Sequence, residues 1–102
     1  MVTKAIWQSQ EFTVLTQTAN WNNVAGVYVF AGVNALNQWQ AHYIGQAASF
    51  EDRIPSHERW AEAARGGATH VHAKSVQLAS ERDALEQSLI RAYRPRLNTQ
   101  HM

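Results

Sequence analysis

The run Val24-Ala25-Gly26-Val27-Tyr28-Val29-Phe30, followed after residues 31–40 by Ala41-His42-Tyr43-Ile44-Gly45, decides the fold. The first segment is β-branched and aromatic, the composition that a buried strand needs. The second is another short strand, and Gly32 to Gln38 between them reads as a polar turn. The two are close enough to pair as a hairpin. Upstream, residues 1–23 are less defined. Phe12, Val14 and Thr16 alternate as in a strand, while Asn20, Asn22 and Asn23 read as a turn.

Downstream, Ser49-Phe50-Glu51-Asp52 predicts a helix start, with Ser49 as N-cap and Asp52 at the third helical position. Helical character runs to about Ala64, where Gly66-Gly67 stops it. Pro55 interrupts this stretch and predicts either a kink or a new segment after Ile54. Thr69 to Val76 is a third strand, with Val71 on one face and His70 and His72 on the other. Ser80-Glu81-Arg82-Asp83 repeats the capping pattern ahead of a helix reaching Tyr93. Its apolar stripe is Leu85, Leu89 and Tyr93, joined by Leu78, and Pro95 ends it. Strand, strand, helix, strand, helix is the order of a mixed α/β (α+β) domain.

Composition sets the outer limits. The chain has 102 residues, nine Lys and Arg against eight Asp and Glu, a net charge of +1, 45% hydrophobic residues and no cysteine. That length predicts one domain spanning 1–102. The missing cysteines exclude a disulfide scaffold, a thiolate zinc site and a thiol nucleophile. No segment approaches the roughly 18 apolar residues of a membrane span, and Met1 to Gln10 lacks the pattern of a secretory signal. A cytoplasmic protein without membrane contact is the expectation. Near-zero charge argues against a grip on nucleic acid by bulk electrostatics. The ending His101-Met102 reads as a frayed tail.

Several residues could carry chemistry, and each has an ordinary structural reading beside it. Gly26-Val27-Tyr28 and Tyr43-Ile44-Gly45 are also what sheets and turns are made of. Arg53 lies eight residues after Gly45 and His57 four after that, the spacing that stacks side chains on one helical face. Arg53 alone is a solvated helix charge, His57 a surface residue, Glu86 an exposed helix acid and Asn98 a turn residue. His70 and His72 share a strand face, but two ligands make a poor zinc site, so packing is the better reading. His42 faces away from Tyr43 and reads as structural. Trp7, Trp21, Trp39 and Trp60 are packing residues, with Trp39 also placed to stack on a base.

Together these spacings resemble the GIY-YIG endonuclease family. Its two tripeptides appear as Gly26-Val27-Tyr28 and Tyr43-Ile44-Gly45, the second in full. Its arginine corresponds to Arg53, and its metal-binding glutamate to Glu86 in Glu86-Gln87-Ser88-Leu89-Ile90. His57 and Asn98 match further site residues of the restriction-enzyme branch. The resemblance covers about residues 24–98. It implies a small three-stranded antiparallel sheet flanked by helices, with the Val71 strand central or third and the Glu86 helix across one face.

The resemblance also implies an activity, metal-dependent hydrolysis of DNA phosphodiester bonds, with RNA not excluded. Tyr28 would be the general base, Tyr43 would position water or phosphate, and Arg53 would hold phosphate oxygens. Glu86 would bind one divalent ion, Mg²⁺ or Mn²⁺. His57 would relay a proton or hold the base, and Asn98 would fix the Glu86 carboxylate or the tail that closes the site. Arg91, Arg94 and Arg96 form a basic cluster after Glu86, placed for backbone contact or simply for a helix C-terminus. Family members usually carry a separate DNA-binding domain, so weak unaided affinity, a homodimer or a DNA-binding partner is expected. The alternative is a catalytically silent nucleic-acid- or protein-binding module on the same fold.

Overall fold

In the computed structural model, which describes residues 3–99, the first strands are β1 (Lys4–Trp7) and β2 (Gln10–Leu15). β3 (Gly26–Val33) and β4 (Trp39–Ala47) follow, then α1 (Phe50–Arg53), α2 (Trp60–Arg65), β5 (His70–Ser75), α3 (Ala79–Tyr93) and α4 (Arg96–Thr99). The sheet is antiparallel throughout, in the order β1-β2-β5-β3-β4. The mixed α/β class is as expected, and the Val71 strand, β5, is central. The sheet has five strands rather than three, because the β1–β2 hairpin adds to β5.

That hairpin is hard to read from sequence. Its turn residues Gln8 and Ser9 both have positive φ, 50° and 64°. This geometry matches strand twist, but Asn-Gly is its usual spelling and Gln-Ser is not. Ile6 also points outward, 62% exposed, and breaks the apolar alternation set by buried Ala5 and Trp7. Another boundary moves as well. β3 runs on through Gly32 and Val33, so the loop before Trp39 is shorter than the expected Gly32–Gln38 turn.

β3 is buried along Gly26 to Gly32 because both faces are covered. Tyr28 and Phe30 join Phe50, Ile54, Ala63, Val71 and Leu97 on the α1–α2 side. Val27, Val29 and Ala31 join Trp7, Phe12, Ile44 and Leu89 on the α3 side. A strand buried twice has no need of polar alternation, hence the unbroken apolar run.

Ser49 caps α1 as expected, its Oγ accepting from the Asp52 N–H at 3.3 Å. Pro55 breaks the segment: α1 stops at Arg53 and α2 begins at Trp60. α2 ends at Gly66, and Gly67 follows at φ 122°. α3 departs from the expected start, since its N-cap is Leu78 and no side chain caps it, Ser80 included. Arg82 secures the entry instead, donating from Nη1 to the carbonyls of Val76 at 3.2 Å and Gln77 at 2.8 Å. Leu78 is exposed and leaves the apolar stripe, while Leu89 is fully buried. Tyr93 sits at the rim, its ring perpendicular to Trp7 and its hydroxyl accepting from the Gln8 N–H at 2.8 Å.

No helix among the described residues is long and apolar enough to cross a membrane. His101 and Met102 lie outside the described residues.

Candidate active site

The β3–β4 register explains why the two tripeptides belong together. Tyr28 lies opposite Gly45, and Gly26 opposite Ala47. The Tyr28 ring lies over Gly45, so a Cβ at position 45 would fall on the Tyr28 hydroxyl, far inside van der Waals contact. A Cβ at Gly26 would meet the Lys74 carbonyl and the Phe50 ring. Each glycine is the space its neighbours occupy. The second tyrosine, Tyr43, pairs across to Phe30, and the two tyrosine rings stand 6.4 Å apart.

His57 enters the same cluster from the turn after α1, not from a continuous helix face. Its side chain is buried among Tyr28, Phe30 and Tyr43, with ring centroids 5.5, 4.8 and 5.2 Å away. Nε2 stands 2.7 Å from the Tyr28 hydroxyl. The Arg59 backbone N–H donates to Nδ1 at 3.0 Å. An Nδ1 that accepts places the neutral ring's single proton on Nε2. His57 therefore donates to the Tyr28 oxygen.

Burial holds the His57 pKa down to about 4, with Arg53 adding to the effect. Glu58 lies 3.6 Å from Nδ1, yet a neutral imidazole makes no ion pair with it at pH 7. Burial also pushes the Tyr28 hydroxyl well above the usual phenol range, with Tyr43 raising it further and Arg53 opposing. Tyr43 is raised by burial too, again opposed by Arg53. The Glu86 charge reaches both phenols and raises each.

Arg53, in the last turn of α1, is held by Glu58 through two parallel bonds, Nη1 to Oε1 at 2.8 Å and Nη2 to Oε2 at 2.7 Å. This fork is also the geometry with which an arginine takes a phosphate. The pair holds the Glu58 carboxyl down to about 2 and the guanidinium above its ordinary value. Nothing in the sequence marks Glu58, because the partnership needs the chain reversal at Pro55.

Glu86 is half-buried on α3, and its Oε1 accepts from the Gln46 side chain at 2.9 Å. The same Gln46 nitrogen donates to Asp83, one helical turn earlier, while Arg82 Nε donates to Gln46 Oε1 at 3.4 Å. One amide from β4 thus gathers two carboxylates. Oxygen donors of this kind fit a hard divalent cation, which commonly takes one or two carboxylates and keeps several waters. Among the described residues no group of three or more His, Cys, Asp or Glu converges. Gln46 and Asp83 are missed by sequence reasoning; the i, i+3 spacing of Asp83 and Glu86 was the only available signal.

Asn98 does something different from holding Glu86. Its Oδ1 accepts from the Ile44 N–H and its Nδ2 donates to the Ile44 carbonyl, both at 2.8 Å. The side-chain amide so pairs with the free edge of β4 like one residue of a further strand, and it fixes α4 there.

Arg91, Arg94 and Arg96 are exposed and lie away from the tyrosine cluster, at the end of α3 and the start of α4. Arg94 and Arg96 line a cavity of about 470 Å³ with Trp39, His42 and Tyr93. His42 is buried, as its structural reading expects, and burial and Arg96 lower its pKa. His72 is buried as well and its Nδ1 accepts from Trp7 Nε1 at 2.9 Å, a packing role. Trp39 opens β4 rather than sitting in the turn.

Comparison with solved structures places this arrangement. Three are of the GIY-YIG N-terminal endonuclease domain of UvrC from Thermotoga maritima, point mutants bound to its catalytic divalent cation. An asparagine-to-alanine mutant is 26% identical at a TM-score of 0.59. Two tyrosine-to-phenylalanine mutants are 28% and 26% identical at 0.57 and 0.58. Each comparison covers 74% of this chain and 82% of the UvrC domain. No family model matches the chain, and no curated protein does. The fold is the GIY-YIG domain fold.

Proposed function

We propose that this chain, which has the GIY-YIG domain fold, is a metal-dependent endonuclease that hydrolyses DNA phosphodiester bonds. The observation that carries the reading is the 2.7 Å contact between Tyr28 and His57, buried beside Arg53. The histidine donor favours negative charge on the Tyr28 oxygen, because a hydrogen bond to the charged form stabilises it, and so works against the burial that raises this hydroxyl. The phenolate form of Tyr28, stabilised by Nε2–H of His57, takes the proton of the attacking water and becomes the neutral phenol. Tyr43 orients that water or the phosphate. Arg53 turns from Glu58 to the phosphate oxygens, exchanging one forked anion for another.

Glu86, with Asp83 held beside it by Gln46, is the place for a divalent ion, Mg²⁺ or Mn²⁺. Bound there, the ion supplies Lewis-acid stabilisation of the leaving oxygen. Arg91, Arg94 and Arg96 contact the nucleic-acid backbone outside the reacting centre. One such centre cuts one strand, so duplex cleavage takes a homodimer, a partner protein or two events. The absence of cysteine suits the reducing cytoplasm.

Incubation of the protein with supercoiled plasmid and Mg²⁺ or Mn²⁺, against Glu86→Gln and Tyr28→Phe controls of unchanged melting temperature, tests the reading. Nicking that disappears in both variants supports it; nicking equal in all three is contamination and removes it. The Arg53–Glu58 clasp favours the second reading, a silent binding module, since it occupies the phosphate-binding fork. Nucleic-acid binding without nicking, even in Glu58→Gln, decides for the module.

A further inference from the structure

We propose that the cavity between the start of β4 and the α3–α4 junction is a subsite for one unpaired nucleotide of the substrate strand. Its base stacks on Trp39 and its phosphate lies on Arg94 and Arg96. The inference rests on the nuclease reading for its purpose, but the site is separate from the reacting centre. None of Tyr28, Tyr43, Arg53, His57 or Glu86 lines the cavity. Its volume, about 470 Å³, falls in the range of small-ligand sites.

The aromatic wall is built in advance. Trp39 is half-buried, with His72 perpendicular to it at 4.4 Å and His70 at 5.7 Å. His72 is fixed in turn, because its Nδ1 accepts from Trp7 and its remaining proton must sit on Nε2. That Nε2 is buried without a hydrogen-bond acceptor. The ring of Trp39 stands perpendicular to this imidazole. A tryptophan fixed in this way loses little freedom when a base stacks on it.

Arg94 provides the second, independent sign. It closes α3 in the left-handed conformation, φ 45° and ψ 58°, where glycine is the usual residue. Among the described residues it makes no ion pair. A charged side chain kept at a strained position on the rim of a cavity marks a site where binding has outweighed stability. The cavity also lies in line with the chemistry. β4 leads from His42 at its wall to Gln46 beside Glu86, about 13 Å at roughly 3.3 Å per residue.

The test is fluorescence anisotropy of a labelled oligothymidylate and of a labelled hairpin duplex that stays paired at the assay temperature, with wild type, Trp39→Phe, Trp39→Ala and Arg94→Gly. The titrations contain EDTA, so no cleavage enters and a failure of nicking leaves them readable. Wild type is expected to bind the single strand more tightly than the duplex. Trp39→Ala weakens that binding about tenfold or more, while Trp39→Phe keeps most of it. Arg94→Gly weakens it too, lowers the salt slope by about 0.7, and keeps or raises the thermal midpoint. Single-strand affinity unchanged in Arg94→Gly, or wild-type preference for the duplex, overturns the subsite. Loss of nicking alone, with these binding differences intact, removes the nuclease reading and leaves the subsite standing.

Discussion

His57 donates its Nε2 proton to the Tyr28 hydroxyl oxygen across 2.7 Å, because the Arg59 N–H has already taken Nδ1. This direction decides which of the two is the base. A histidine that accepted from tyrosine would titrate with the reaction; one that donates steadies the oxygen. Activity should therefore rise with pH through neutrality and on past pH 9, following the elevated phenol rather than an imidazole near 6.5. His57→Ala should lower kcat about 10²-fold and move this limb to higher pH, with KM little changed. A plateau reached by pH 7.5 in the wild-type kcat profile would assign the base elsewhere.

On the nuclease reading, Glu58 competes with substrate for Arg53. The pair is exposed on both sides, 39% and 63%, so its strength is about 1 kcal/mol at most. Glu58→Gln should lower KM for DNA up to about fivefold, with kcat unchanged and stability altered by less than about 1 kcal/mol. Steady-state kinetics at low ionic strength measures this, and a raised KM would mean that Glu58 positions Arg53 productively.

Two buried histidines make the fold acid-sensitive. The pKa values of His57 and His72 are both held at about 4 by burial, against 6.5 when unfolded. The unfolded chain binds the more protons between these values, so stability is full above pH 6.5 and falls as pH drops toward 4. Each histidine contributes on the order of 3 kcal/mol to that fall. Thermal midpoints across pH 4–7 check it: the loss should shrink in His72→Phe. A flat profile refutes the neutral assignment of both rings.

Asn98 should prove structural. Asn98→Ala removes two hydrogen bonds and leaves the Ile44 N–H and carbonyl without their partner, a cost of about 1–3 kcal/mol. Amide exchange at Ile44 should accelerate, while kcat stays near wild type where the variant is folded. A large kcat loss with unchanged exchange would put Asn98 in the chemistry.

What could be read from the sequence followed from local rules. The β3 and β4 runs, the Ser49 cap, the Pro55 break and the Gly66 stop each depend on neighbours within a few residues. The candidate site residues could be picked out because their spacing is distinctive, although the spacing alone gave no reason for the glycines. Features without a recognisable local spelling, or joined across the chain, stayed hidden. The β1–β2 hairpin turns on Gln8-Ser9, an unmarked pair, and α3 begins at Leu78 because Arg82 reaches back to Val76 and Gln77. Glu58 on Arg53, Gln46 between Asp83 and Glu86, and Asn98 on Ile44 join residues 5, 37 or more, and 54 positions apart. His57 entered the site by a route other than the helical face its spacing suggests.

Gly45 gives the two tripeptides a fixed order of decay. Because the Tyr28 ring fills the space of a side chain at 45, any lineage must shrink position 28 before it can elaborate position 45. The reverse path passes through a chain that does not pack. A drifting descendant should thus keep its second glycine longer than its first tyrosine.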